Sequence, residues 1–295
     1  MLFAMAAGQA AAGTAVFTAD SAHSSLTLSG NVVISGTAYP IQSQGSGSLT
    51  STYSGQIFAD LTPPYLHFTG GSSLKANTNG NWQPAAGGAA GSAPADFGGQ
   101  ITPPLTTGYA AGRNFQFDLN SPTILLTNGG FDASNLTFTY QTNIPPVPIL
   151  DYRVTSFIPA DNTNGTAALS GTSTNGINTA SLTNNSGMLY LSLPINTSMV
   201  TTSSVGAITL VLTGQLVATA PASDWVFPVT IGLTNGQVTL EWPSLPGQHF
   251  TVQAAPSLSG AWNAATGTMT KKTSTTAWTG SQSGNVSFYR VFAGP

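Results

Sequence analysis

The sequence predicts an all-β protein. Residues 16–222 form a large antiparallel β-sandwich or barrel, and residues 223–295 a small β-sandwich. Three observations carry that expectation. Apolar residues recur with a period of two in many short runs. Asn-Gly, the preferred pair for tight hairpin turns, occurs five times. Beyond the N-terminal region, no stretch shows the 3.6-residue periodicity of an amphipathic helix.

In chain order, residues 1–15 (MLFAMAAGQAAAGTA) read as the remnant of a signal peptide. Leu2–Ala12 is apolar and small residues follow, although the basic start is missing. Alternating runs then come at Ser25–Gly30, Phe115–Leu119, Leu136–Tyr140, Leu189–Leu193, Val238–Trp242 and Phe250–Ala254. Ile208–Leu212 is more continuously apolar, interrupted by Thr209 alone, a pattern compatible with a strand covered on both faces. The Asn-Gly pairs begin at Asn79, Asn128, Asn164, Asn175 and Asn235, each after a Thr, and read as hairpin tips. The clearest is VTIGLTNGQVTLEW, Val229–Trp242. The Pro-rich run Asn143–Leu150 reads as a crossover inside the larger unit, and Ala218–Pro228 as the boundary between the two units.

Composition narrows the function. Of 295 residues, 41% are hydrophobic, enough for a core, while only 5% are charged, against about 25% in an average soluble protein. The surface must therefore be covered by neutral polar side chains. The six basic residues are scattered apart from Lys271-Lys272, which excludes a phosphate-binding patch and so nucleic acid. With no cysteine there is no disulfide, thiolate metal site or Cys nucleophile. No later run approaches the roughly 20 apolar residues of a transmembrane helix. Together these features fit an exported bacterial protein of the cell surface or extracellular space.

Chemistry is sparse. There are nine carboxylates, eight Asp and a single Glu. No sequence pattern pairs two of them, so a glycosidase would require some of Asp60, Asp96, Asp118, Asp132 and Asp151 to converge in the fold. His23, His67 and His249 lack metal-ligand spacing. Ser72-x-x-Lys75 sits in a β-patterned region rather than at a helix start. Asp161–Thr166 offers a thin calcium pattern that a plain hairpin explains better. The expectation is no catalytic residue, no metal and no cofactor.

Two stretches carry resemblances. Leu240–Gly267 (LEWPSLPGQHFTVQAAPSLSGAWNAATG) and Ser287–Gly294 (SFYRVFAG) resemble a fibronectin-III-like module of exported proteins from environmental bacteria. The resemblance implies a spacer or display module. Trp242, Trp262, Phe288 and Val291 would fill its core. The larger region, through GSLTSTYSGQIFADL (Gly47–Leu61) and NWQPAAGGAAGSAPADFGG (Asn81–Gly99), resembles uncharacterised exported β-proteins, some with PEP-CTERM-type sorting tails. No such tail occurs here. FTADSAHSSLTL (Phe17–Leu28) is similar to the first strand of lipocalin-like polyisoprenoid-binding barrels, which would imply an apolar cavity holding a lipid.

The stretch Thr78–Gln100, rich in Gly and Ala but containing Trp82 and Phe97, is too long for an ordinary connection. It reads as a shaped loop that Trp82 and Phe97 pin onto the sandwich. A ligand-binding loop and disorder stand as alternatives. If it binds, Trp82 and Phe97 supply flat apolar surface and Gln83 and Asp96 hydrogen bonds, with Trp278 as a further aromatic in the small unit. The expected function is structural or adhesive and non-enzymatic, with polysaccharide or other surface proteins as partners. Carbohydrate binding through exposed aromatics, or lipid binding in a barrel, are the other readings.

Overall fold

A computed structural model describes residues 13–62, 64–140, 146–159, 162–204, 206–222, 227, 229–245, 248–272, 275–281 and 288–294. The architecture is all-β, with antiparallel pairing throughout the described ladders and a short 3₁₀ turn at Ala86–Gly88.

A long hairpin organises the larger unit. Its strands, Met188–Ser203 and Gly206–Pro221, pair from Met188↔Pro221 to Ser203↔Gly206. The free edge of the second strand is shared by two others. Ser25–Ile34 pairs with residues 207–215, and Gly13–Ala19 pairs further on at Thr18–Ala19. From there the sheet forks. One branch runs through Gln56–Thr62 and Tyr65–Phe68 to Ile124–Leu125. The other runs through Thr50–Ser54, Leu74–Ala76, Gln116–Asn120 and Thr137–Tyr140 to Gly171–Thr174.

Alternate residues of both branches meet in one core. Phe17, Ile57, Leu61 and Phe68 come from the first branch; Leu26, Tyr53, Leu74, Phe117 and Phe138 come from the second. Tyr53 and Phe138 pack against Phe117 with ring centroids 5.5 and 5.3 Å away. Burying each such ring contributes about 2–3 kcal/mol. The fork requires glycine. Gly30 and Gly214 have φ of 141° and 149°, and a Cβ on either would overlap a carbonyl oxygen of the facing strand, Thr209 or Ser25. Only glycine lets the paired strands bend here.

The period-two runs form strands with the expected faces. Ser25–Gly30 alternates exposed and buried, and so does Leu189–Leu193. Ile208–Leu212 also alternates, because Val211 is only half-buried between buried Leu210 and Leu212. The expectation that this strand is covered on both faces is therefore corrected. Of the five Asn-Gly pairs, Asn128-Gly129 and Asn235-Gly236 place both residues at positive φ, as a type I′ turn requires. The other three asparagines act through their side chains or lie in a strand. Asn175 accepts from Asn196 N and donates to Pro194 O, Asn79 donates to Gly47 O and Thr50 O, and Asn164 is within Thr163–Ala168.

Asp161, the carboxylate of the calcium pattern, lies outside the described residues. Residues 141–145 do too, but Thr137–Tyr140 belongs to the forked sheet and Ile149–Ser156 to a separate five-stranded sheet. The Pro-rich run thus connects two sheets, as expected of a crossover. At the N-terminus, Thr14 and Ala15 pair with Asp60 and Ala59, and Ala15 is fully buried. The first strand therefore includes residues assigned above to the signal-peptide remnant.

The C-terminal part has a second core. Val238, Leu240, Trp242, Val252 and Trp278 lie between a four-stranded and a three-stranded sheet. Val291 packs against this core as expected. Trp262 is instead half-exposed under the guanidinium of Arg290, 4.4 Å from its centroid, and Phe288 is half-buried outside the cluster. The period of two explains Phe288, since Tyr289 and Val291 take the inward positions of that strand.

Candidate functional site

The stretch 78–100 is a shaped loop. Gly80–Trp82 and Ala93–Ala95 pair as a short ladder at its base, with Ala93 opposite Trp82. The Trp82 indole lies against backbone: a Cβ at Gly80 or Gly98 would run into its ring, and one at Gly45 would touch it. Its Nε1 donates to Asn79 Oδ1 at 2.5 Å. The Gly-rich composition is thus what allows a large ring to lie flat on the chain.

Beyond Trp82, Gln44 captures the loop. Its side-chain Oε1 accepts from Gln83 N at 2.9 Å, and its Nε2 donates to Gln83 O and Gly99 O. Further along, Arg113 Nη2 donates to Pro84 O at 2.8 Å and Nε to Pro94 O at 3.0 Å, while Nη1 donates to Asp151 Oδ2. Asp151 is fully buried and also accepts from Gly87 N at 3.1 Å and Thr166 Oγ1 at 2.6 Å. Gly88 lies so close to the backbone of Tyr152 and Gly165 that any side chain there would collide.

Of the residues anticipated as ligand contacts, the loop presents two. Trp82 is half-exposed and Gln83 exposed. Asp96 and Phe97 point inward, which corrects their assignment. Asp96 accepts from Phe115 N at 2.9 Å and Thr78 Oγ1 at 3.3 Å, and Phe97 packs edge-on against Phe115. Burial raises the Asp96 pKa, and the hydrogen bond from Phe115 N partly offsets this. Trp278 is also an interior residue, 3% exposed, because it shares an inward face with Leu240 opposite it.

The loop covers part of one face of the five-stranded sheet, ordered Thr163–Ala168, Ile149–Ser156, Thr106–Arg113, Phe97–Ile101 and Gln42–Ser43. Next to the covered part, one cross-strand row remains open. The register places Gln42 opposite Gln100, Gln100 opposite Tyr109, Tyr109 opposite Arg153, and Arg153 opposite Asn164. Gln42 and Asn164 are exposed and the middle three are half-exposed. Arg153 makes no ion pair among the described residues. Gln100 is two residues from Gly98, which carries the Trp82 ring, so the ring flanks the row at about 7 Å. Composition pointed to Trp82, but the row draws one residue from each of five strands. Only register could reveal it.

The opposite face of that sheet faces a small apolar cleft among Val32, Ile41, Ile101, Val154 and Ile208. Several of the described carboxylates serve separate segments. Asp118 accepts from Gly71 N and Ser72 N, Asp132 from Ser134 N, and Asp60 from Thr14 Oγ1, each holding its own segment. Among the described residues no three His or acidic side chains gather as a metal site. No family model, curated protein or solved structure matches the chain.

Proposed function

We propose that this is an exported, non-enzymatic adhesive protein of a bacterial surface or extracellular matrix that engages polysaccharide on the outer face of its five-stranded sheet. The observation that carries the reading is the open row Gln42, Gln100, Tyr109, Arg153 and Asn164, flanked by Trp82. Planar amides and a guanidinium hydrogen-bond hydroxyl groups, and aromatic rings stack on the apolar faces of sugars. The row stands on strands rather than on a mobile loop, so little order must be gained on binding. The C-terminal unit then serves as the spacer its resemblance implies. For the lipid alternative, the forked sheet would need a cavity, whereas Phe17, Phe68, Phe117 and Phe138 occupy that space.

The test is retention of the full chain on a panel of insoluble polysaccharides, with Tyr109→Ala and Gln100→Ala alongside. These substitutions leave the Trp82 and Arg113 contacts of the loop in place. Retention by the parent that survives raised salt and falls at least tenfold in both variants, at unchanged melting temperature, supports the reading. Retention on no polymer, or equal retention by both variants, sinks it. Because the row holds a single cation, binding that disappears with salt also counts against it.

A further inference from the structure

The first strand of the C-terminal hairpin, Thr230–Thr234, is an edge with an open side. All five residues are exposed, and among the described residues the strand pairs only with Gln237–Glu241. The two-residue turn Asn235-Gly236 makes Thr234↔Gln237 a hydrogen-bonded pair, and Gly232↔Thr239 and Thr230↔Glu241 follow by alternation. The N–H and C=O groups of Ile231 and Leu233 therefore point away from the sheet.

The side chains of the same two residues are also unpartnered. Ile231 stands opposite Leu240 and Leu233 opposite Val238, and those partners belong to the smaller core at 1% and 4% exposure. Cross-strand partners share a face, so Ile231 and Leu233 lie on the core side of the sheet. They are nevertheless 52% and 40% exposed. The apolar face extends one strand beyond its cover.

Edge strands are ordinarily protected by a Lys, a Pro, a bulge or a covering element. The segment Thr230-Ile231-Gly232-Leu233-Thr234 has no charge and no proline. It also reads nearly the same in both directions about Gly232. We propose that a second copy of this chain occupies the edge, antiparallel, with a two-fold axis at Gly232. Thr230 then meets Thr234 of the second copy, Ile231 meets Leu233, and Gly232 meets its own equivalent. The free backbone groups of Ile231 and Leu233 pair across the axis. Their side chains form a four-residue apolar strip continuous with the two small cores. An uncharged edge carries no like-charge penalty for self-pairing, and the near-palindrome supplies the self-complementarity that a two-fold contact needs.

Cross-linking tests the register directly. The chain has no cysteine, so Gly232→Cys creates a sole thiol. The site is open, since a Cβ there comes no closer than 4.0 Å to Thr239 O. Across the axis a non-hydrogen-bonded pair has Cα atoms about 4.5 Å apart, within disulfide reach. Thr230→Cys is the control, because the two copies of residue 230 would be roughly 13 Å apart. The expected result is a disulfide dimer for Gly232→Cys and little or none for Thr230→Cys. Sedimentation velocity should show a concentration-dependent dimer for the parent and a monomer for the double variant Ile231→Lys, Leu233→Lys, with melting of the monomer unchanged. A monomeric parent, equal cross-linking at both positions, or a dimer that survives the double variant overturns the proposal. The last result would assign dimerisation to another surface, and the first would leave the edge to a strand from a different protein.

Discussion

The guanidinium of Arg113 holds the carboxylate of Asp151 while also donating to the carbonyls of Pro84 and Pro94, near the two ends of one loop. Arg113 is 9% exposed and Asp151 fully buried, so each charge relies on the other. The planar fork matters as much as the charge, because three acceptors in different directions are met by one rigid group.

Removing one partner leaves the other charged and buried. Arg113→Ala and Asp151→Ala should each lower stability by about 3–5 kcal/mol in urea titrations. Replacing both, as Arg113→Met with Asp151→Leu, should cost less than the sum of the single changes. Arg113→Lys keeps the charge but cannot reach both carbonyls and Asp151 together. Amide exchange at Gly87 and Gly88 should then accelerate more than exchange in the core strands.

Asp96 gives a pH signature. Burial, the dominant cause, raises its pKa in the folded protein, and the hydrogen bond from Phe115 N opposes that rise. A folded-state pKa above the unfolded one means the folded protein holds the proton more tightly. The associated stability is present below the unfolded pKa and is lost as pH rises through the folded value. Asp96→Asn removes that loss, and the amide oxygen can still accept from Phe115 N. The stability of Asp96→Asn relative to the parent should therefore increase as pH is raised from about 3 to 7, read as paired urea midpoints. An unchanged or opposite trend would mean that Asp96 is not desolvated.

The fork in the main sheet can be tested at Gly214. Ala there combines a φ of 149° with overlap of Cβ and Ser25 O. Stability should fall by about 3 kcal/mol or more. Gly236→Asn, at a turn with φ of 76° and open space, should cost about 1 kcal/mol or less. Similar losses at both positions would argue that strand bending at Gly214 is not demanding.

Tyr53 has a fully buried hydroxyl with no hydrogen-bond partner among the described residues. Tyr53→Phe removes an unsatisfied polar group and keeps the ring contact with Phe117. Thermal melting should show no loss, and a gain of up to about 1 kcal/mol.

The two tryptophans of the C-terminal unit should separate cleanly. Trp278→Ala opens the small core and should cost about 3–5 kcal/mol, with the unit melting first. Trp262→Ala removes a surface ring stacked under Arg290 and should leave the melting of that unit nearly unchanged.

Much of the fold follows from local pattern. The alternation in Ser25–Gly30, Phe115–Leu119 and Leu189–Leu193 determines which side chains face inward, because successive residues of a strand point to opposite faces. Asn128-Gly129 and Asn235-Gly236 turn as their residue types favour. Other features depend on distant partners. Asn79 and Asn175 share the Thr-Asn-Gly pattern, but their amides satisfy backbone groups of segments that the fold brings near. Trp262 and Trp278 look alike in sequence, yet one lies under Arg290 and the other in the core.

The candidate site divides in the same way. Trp82 stood out by itself, as a large ring in a Gly- and Ala-rich stretch. The sequence by itself determined the strands, their inward faces and a surface poor in charge, since those depend on neighbouring residues and composition. Only the tertiary structure decided that Arg113 reaches Asp151, that Asp96 and Phe97 turn inward, and that Gln42, Gln100, Tyr109, Arg153 and Asn164 form one row. Hydrogen-bond register between strands far apart in the chain sets those neighbours, and no local pattern encodes it.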